Sequence, residues 1–216
     1  AALADAEQRL MEALEHAVAP GDWCELAGSL PPGTDVGLWE RLARRLAARD
    51  AGYVLMHNPG RPKVRLTETN LYDDVVDAVV EFWTEGLDRL RSAGVADEAV
   101  ILDFGPDFAK TPHQTLQCLR EWERLAGFRR PLLMALSRKD FIGTALRLVP
   151  RERDEATLAA MVWIASKVPS VIARTHRPLE LRQAFDMLGF LDGRADLHPD
   201  DRLDPSLRRQ GVTPST

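Results

Sequence analysis

The sequence predicts an α/β fold of the TIM type, a (β/α) barrel lacking its first three strands in this sequence. Three observations lead there. Short apolar runs of strand length alternate with longer segments of helical apolar spacing, joined by short connections, the pattern of parallel strands with helical crossovers. The runs are continuous rather than alternating, as strands covered on both faces read. One leading helix is followed by five strand–helix units in 216 residues, whereas an eight-unit barrel takes about 250. Residues 1–192 are expected to form this domain and 193–216 a polar tail.

Composition agrees with one soluble domain and a sizeable core: 45% of residues are hydrophobic and 28% charged. The net charge of -5 leaves no electrostatic footprint for nucleic acid. No apolar run is long enough to cross a membrane. The start, Ala-Ala-Leu-Ala-Asp, has no cationic region ahead of an apolar one, so no secretory signal is expected. Cys24 and Cys118 are far apart and form no ligand cluster, so no metal site is expected from them. Free thiols and a cytoplasmic location are expected.

Taken in order, residues 2–18 read as a helix with Leu3, Leu10, Leu14 and Val18 on one side, ended by Pro20-Gly21. Asp22 to Leu30 reads as a short strand, and Pro31-Pro32-Gly33 as a turn. Thr34 or Asp35 can cap a helix running to Arg49. Gly52–Met56 is a second strand, closed by the His57-Asn-Pro-Gly60 loop; residues 61–68 are polar and expected to be mobile. A long helix follows from Leu71 to Ala93, with Gly94 as its stop. Ala99–Leu102 is a third strand, and Thr111-Pro112 opens a helix ending near Gly127. Leu132–Leu136 is the fourth strand, and a short helix starts after Lys139. A helix over 154–167, a strand over 170–174 and a helix over 179–191 complete the chain before the tail.

Each strand hands its carboxyl end to a polar or special residue: Cys24 and Glu25, Met56 and His57, Asp103, Ser137 to Lys139, and Arg174 with His176. In a barrel such ends converge on one mouth, where chemistry is housed. Arg174 and His176 are two apart, so an extended chain aims both to one face. Arginine offers a planar fork for phosphate oxygens, histidine adds a donor, and Lys139 leaves the neighbouring strand. Each residue has a plainer reading. Asp103 could cap the Gly105 turn. His57 could be a loop residue, Met56 core filler, and the Ser137-Arg138-Lys139 triplet a solvated loop. The joint occurrence at successive strand ends is the signal.

These residues resemble the dihydropteroate synthase family, a pterin-binding barrel of folate synthesis. Met56-His-Asn-Pro-Gly60 is similar to the family's Met-His-x-x-Gly. Leu102-Asp103-Phe-Gly-Pro-Asp-Phe108-Ala-Lys110 is similar to Leu-Asp-Pro-Gly-x-Gly-Phe-Gly-Lys. Ser137-Arg138-Lys139-Asp-Phe-Ile-Gly143 and Arg174-Thr-His176 are similar to Ser-Arg-Lys-Ser-Phe-Ile-Gly and Arg-Val-His. The likeness spans about residues 20–192. It implies a transferase joining a pterin methyl diphosphate to p-aminobenzoate, with catalytic Lys139, Arg174 and His176. It implies substrate contacts from Asp103, Met56, Phe108, Ser137, Arg138 and Cys24, the last at the position of a family asparagine. It also implies Mg2+ accompanying diphosphate, and a homodimer through the C-terminal helices carrying Leu116, Leu119, Trp122, Met161, Trp163, Ile164, Phe185 and Leu188.

Departures are Cys24, Phe104 after the pterin-binding Asp, and a loop closer to the variant second paralogue of actinobacterial type. The family's first-strand, Gly-Gly-Glu-Ser-Thr-Arg-Pro-Gly and third-strand Val-Asp-Thr segments find no match. A non-catalytic relative that binds a pterin or phosphorylated ligand, or a protein partner, is therefore the rival reading. Methyltetrahydrofolate-binding methyltransferases share the fold but are not expected to keep the Ser-Arg-Lys loop.

Overall fold

The computed structural model describes residues 2–25, 37–58, 71–168 and 170–207. The expected loop at 61–68, the turn at 31–33 and the end of the tail, 208–216, lie outside them. The elements run α1 (Ala2–Ala17), β1 (Trp23–Glu25), α2 (Leu38–Ala47), β2 (Gly52–Met56), α3 (Val75–Ser92), β3 (Val100–Asp103), α4 (Pro112–Arg120), α5 (Trp122–Ala126), β4 (Leu132–Met134), α6 (Asp140–Leu146), α7 (Asp154–Ala165), β5 (Val171–Ala173) and α8 (Pro178–Leu191). The five strands form one parallel sheet in the order β1-β2-β3-β4-β5. That is the sheet of the expected partial barrel, each strand beside its predecessor and followed by helix.

The two sheet faces divide by parity. Tyr53, Leu55, Val100, Leu102, Leu132 and Met134 join the helices in the main core, centred on Trp83, Val76 and Val79. Val54, Ile101 and Leu133 form a second apolar layer on the opposite, inner face. The register pairs Val54 with Ile101 and Met56 with Asp103, so the inner row continues to the strand ends. Helix α3 is pressed onto β2 at Gly86, where an added Cβ would come 2.7 Å from Leu55.

Local chemistry sets the helix starts. Asp74 caps α3 by accepting from Val76 N at 2.8 Å and Asp77 N at 2.9 Å. Thr111 and Gln114 form a reciprocal capping box at α4, with Pro112 in the first turn. Two expectations are corrected. Residues 71–74 are turn rather than helix, because the Asp74 cap fixes the start. The single helix expected to end near Gly127 is two, broken where Glu121 leaves helical geometry at φ -99, ψ 32. The first strand is extended at Trp23–Glu25, and the rest of its expected span, 26–30, lies outside the described residues.

Candidate active site

Met56 and Asp103 end neighbouring strands in register. Asp103 is 1% exposed, and its Oδ1 accepts from Gly105 N at 2.7 Å. The turn-capping role and a place on the inner face coexist in this one carboxylate. The loop it opens is sharply bent: Gly105, Asp107 and Ala109 have φ of 65, 63 and 50°. Gly105 is required, since a Cβ there would overlap the His57 carbonyl oxygen.

Lys110 holds the loop from within. Its Nζ sits 2.7 Å from His57 Nδ1 and donates to the carbonyls of Gly105 at 3.3 Å and Phe108 at 3.2 Å. Burial, before the Lys110 charge, pushes the His57 imidazole down to about 3, so the ring is neutral and Nδ1 accepts. Its proton is then on Nε2. Burial likewise brings the Lys110 ammonium down to about 8.

Lys139 stands immediately before α6. Its Nζ lies 4.3 Å from the centroid of the Phe108 ring. Burial lowers its pKa, while the charges of Asp107 and Asp103 pull upward and Arg174 pushes downward. These charges surround one ammonium. The loop behind it is gripped by Arg153, 8% exposed. Arg153 Nη1 donates to the carbonyls of Arg138 at 2.9 Å and Lys139 at 3.0 Å and to Asp140 Oδ1 at 2.9 Å; Nε donates to Leu148 O at 2.9 Å. Its guanidinium occupies the space over Gly143 that a Cβ would fill.

Ser137 Oγ and His176 Nδ1 are 2.7 Å apart, and His176 N donates to the same Oγ at 3.3 Å. The hydroxyl can donate to Nδ1 or accept from it, and the exposed His176 ring is held in place either way. Arg174 follows β5 and is exposed, its backbone N donating to Met134 O at 3.1 Å.

Met56, Asp103, Phe108 and Lys139 thus gather at one edge, with Arg174 and the Ser137–His176 pair beside Lys139. Two candidates lie elsewhere. The Arg138 fork, at φ 58, is taken by Asp154 at 2.7 and 2.9 Å, on the α7 side. Cys24 pairs in register with Tyr53 and packs on the helix-side core, where burial, then Asp22, raises its thiol pKa. Phe104, 1% exposed, fills that same core rather than the mouth. Sequence reasoning named His57 as a strand-end residue without a role and missed Lys110, Asp107 and Arg153. Lys110 and Asp107 carried a signal, as residues of a quoted motif.

A parallel β/α sheet with a carboxylate, a lysine, an arginine and a histidine along one carboxyl edge defines a barrel-type ligand-binding protein. The chain belongs to the family of pterin binding enzymes, whose profile matches residues 36–176. It is 33% identical to the dihydropteroate synthase of Bacillus subtilis over 158 residues, 73% of this chain and 52% of that protein. It is 35% identical to the inactive dihydropteroate synthase 2 of Mycobacterium tuberculosis, over 66% of this chain and 46% of that protein. The Clostridium difficile dihydropteroate synthase solved in the presence of pteroic acid superposes with a TM-score of 0.67 at 27% identity, over 84% of this chain and 63% of that one. The chain spans about half the length of the curated relatives it matches.

Proposed function

We propose that the chain binds a pterin at this edge and takes part in dihydropteroate synthase-type transfer, with residues 1–192 as the working unit and 193–216 as a tail. The buried Asp103 beside the Lys139–Phe108 pair carries the reading. A carboxylate offers paired acceptors to the N–H edge of a pterin. Lys139 over Phe108 forms a wall against which a planar ring can stack. In the reaction, the amine nitrogen of p-aminobenzoate forms a bond to the pterin methylene carbon as the carbon–oxygen bond to diphosphate breaks. The diphosphate leaves with the bonding pair, and the amine loses a proton to solvent. Arg174, His176 and Lys139 are the donors suited to the departing charge. Mg2+ is the ion implied with diphosphate. Among the described residues no group of three or more His, Cys, Asp or Glu is gathered, and no step is drawn through the ion. Free cysteines support a cytoplasmic location, and no helix of the described residues is long and apolar enough to cross a membrane.

Calorimetric titration of a 6-substituted pterin and of diphosphate tests this. Asp103→Ala should weaken the pterin by about 1–3 kcal/mol, the cost of leaving a buried edge unpaired. Arg174→Ala should weaken diphosphate and spare the pterin. Equal pterin binding by parent and Asp103→Ala removes the assignment. A protein that binds both ligands yet forms no pteroate takes the non-catalytic reading.

The homodimer is also proposed, with its surface redrawn. Leu119, Met161 and Ile164 belong to the core, at 5, 0 and 0% exposure, and cannot face a partner. The outer sides of α7 and α8 instead expose Trp163, Leu179, Met187, Phe190 and Leu191. Contiguous apolar bulk of this kind marks an interface. Sedimentation at micromolar concentration should give a dimer that Met187→Glu dissociates; a monomeric parent refutes it.

A further inference from the structure

Asp107 has a left-handed backbone at φ 63, a region unfavourable to residues other than glycine. Its backbone N donates to Thr115 Oγ1 at 3.1 Å, and Thr115 Oγ1 donates back to Asp107 Oδ1 at 3.1 Å. Its Oδ2 accepts the backbone N–H of Asp140. Helix α6 begins at Asp140, and Lys139 before it supplies no side-chain cap. The free N–H at the start of α6 is therefore satisfied by a carboxylate from the preceding strand–helix unit.

The site of this bond costs stability, although the bond itself favours the charged carboxylate. Burial raises the Asp107 carboxyl above its ordinary range, although the Asp140 N–H, Thr115 and the Lys139 charge pull it down; the Asp140 carboxylate pushes it further up. An acid that holds its proton more tightly folded than unfolded loses folding stability as it ionises toward neutral pH. A left-handed backbone and an ill-solvated charge are both kept at one residue of the mouth. Such retained strain points to function.

We propose that Asp107 is a latch, a positioning residue that ties the loop after β3 to the first turn of α6. It sets the gap between Asp103 and Phe108 on one side and Lys139 on the other. Lys139 already lies over Phe108, so the latch governs how far the ammonium swings to admit a planar heterocycle. The inference rests on reading this mouth as the pterin site.

The test compares Asp107→Gly and Asp107→Asn with the parent at pH 7, by thermal melting, pterin titration and amide exchange at Asp140. Glycine suits φ 63, so Asp107→Gly should melt no lower than the parent. It should nevertheless bind the pterin about tenfold more weakly, with faster exchange at Asp140. Asp107→Asn keeps an acceptor oxygen and should fall between. A stabilising change that weakens binding is the opposite of what a merely structural role gives. Unchanged affinity in Asp107→Gly, or affinity and melting temperature falling together, overturns the latch. If the parent binds no pterin, the functional reading fails and exchange decides the latch alone: unchanged exchange at Asp140 overturns it, and faster exchange supports it.

Discussion

Replacing Arg153 by methionine is expected to cost about 3–5 kcal/mol of folding stability, the scale of breaking a buried charged hydrogen-bond set. The ion pair with Asp140 contributes little of this, since that carboxylate is 78% exposed. The loss comes from the carbonyls of Arg138, Lys139 and Leu148, which all point at one guanidinium. Methionine fills similar space and leaves three acceptors with no donor. Lysine would restore the charge but not the fork that reaches all of them. Urea denaturation should therefore give a strongly lowered midpoint for Arg153→Met and only partial recovery for Arg153→Lys. Pterin binding should fall in both, because Lys139 loses its anchored backbone. A midpoint for Arg153→Met equal to the parent's would mean that the carbonyls find water instead and the clamp is idle.

Gly105→Ala is the second large effect. A left-handed alanine and a Cβ driven into backbone together should cost about 2–4 kcal/mol. The obstructing atom, the His57 carbonyl oxygen, cannot yield easily. The His57 N–H is held by Asp103 O at 2.8 Å, its ring by Lys110, and Lys110 in turn by Gly105 O. Gly94 is the control, with φ 88 and nothing within 4 Å of an added Cβ. There only backbone strain remains, about 1 kcal/mol. Thermal melts should separate the two alanines clearly; equal destabilisation would show that the His57–Gly105 approach is not tight in solution.

The fold was legible because its signals are local. Apolar runs such as Leu132–Leu136 and helix punctuation such as Thr111-Pro112 carry their own reading. Where no such punctuation exists, as at Glu121 within a continuous apolar period, the break could not be read. The candidate site was legible as a list of strand ends but not as an arrangement. His57 looked like a loop residue because its partner Lys110 is 53 positions away. Arg138 looked like part of the mouth because its neighbours are; one left-handed residue turns it to Asp154. Cys24 was misjudged in direction, since a one-residue change of parity moves a side chain across the sheet.

The Arg153 guanidinium lies where a Gly143 side chain would be, and that contact binds two positions across generations as well as in space. A descendant that gains any side chain at 143 must first shorten or redirect the arginine at 153, and losing the arginine removes the reason for a bare 143. Neither step is neutral alone, so the pair should drift together or not at all. Among homologues, glycine at the first position and arginine at the second should be inherited as one character, and their joint absence should mark lineages in which the lysine loop has been released from its task.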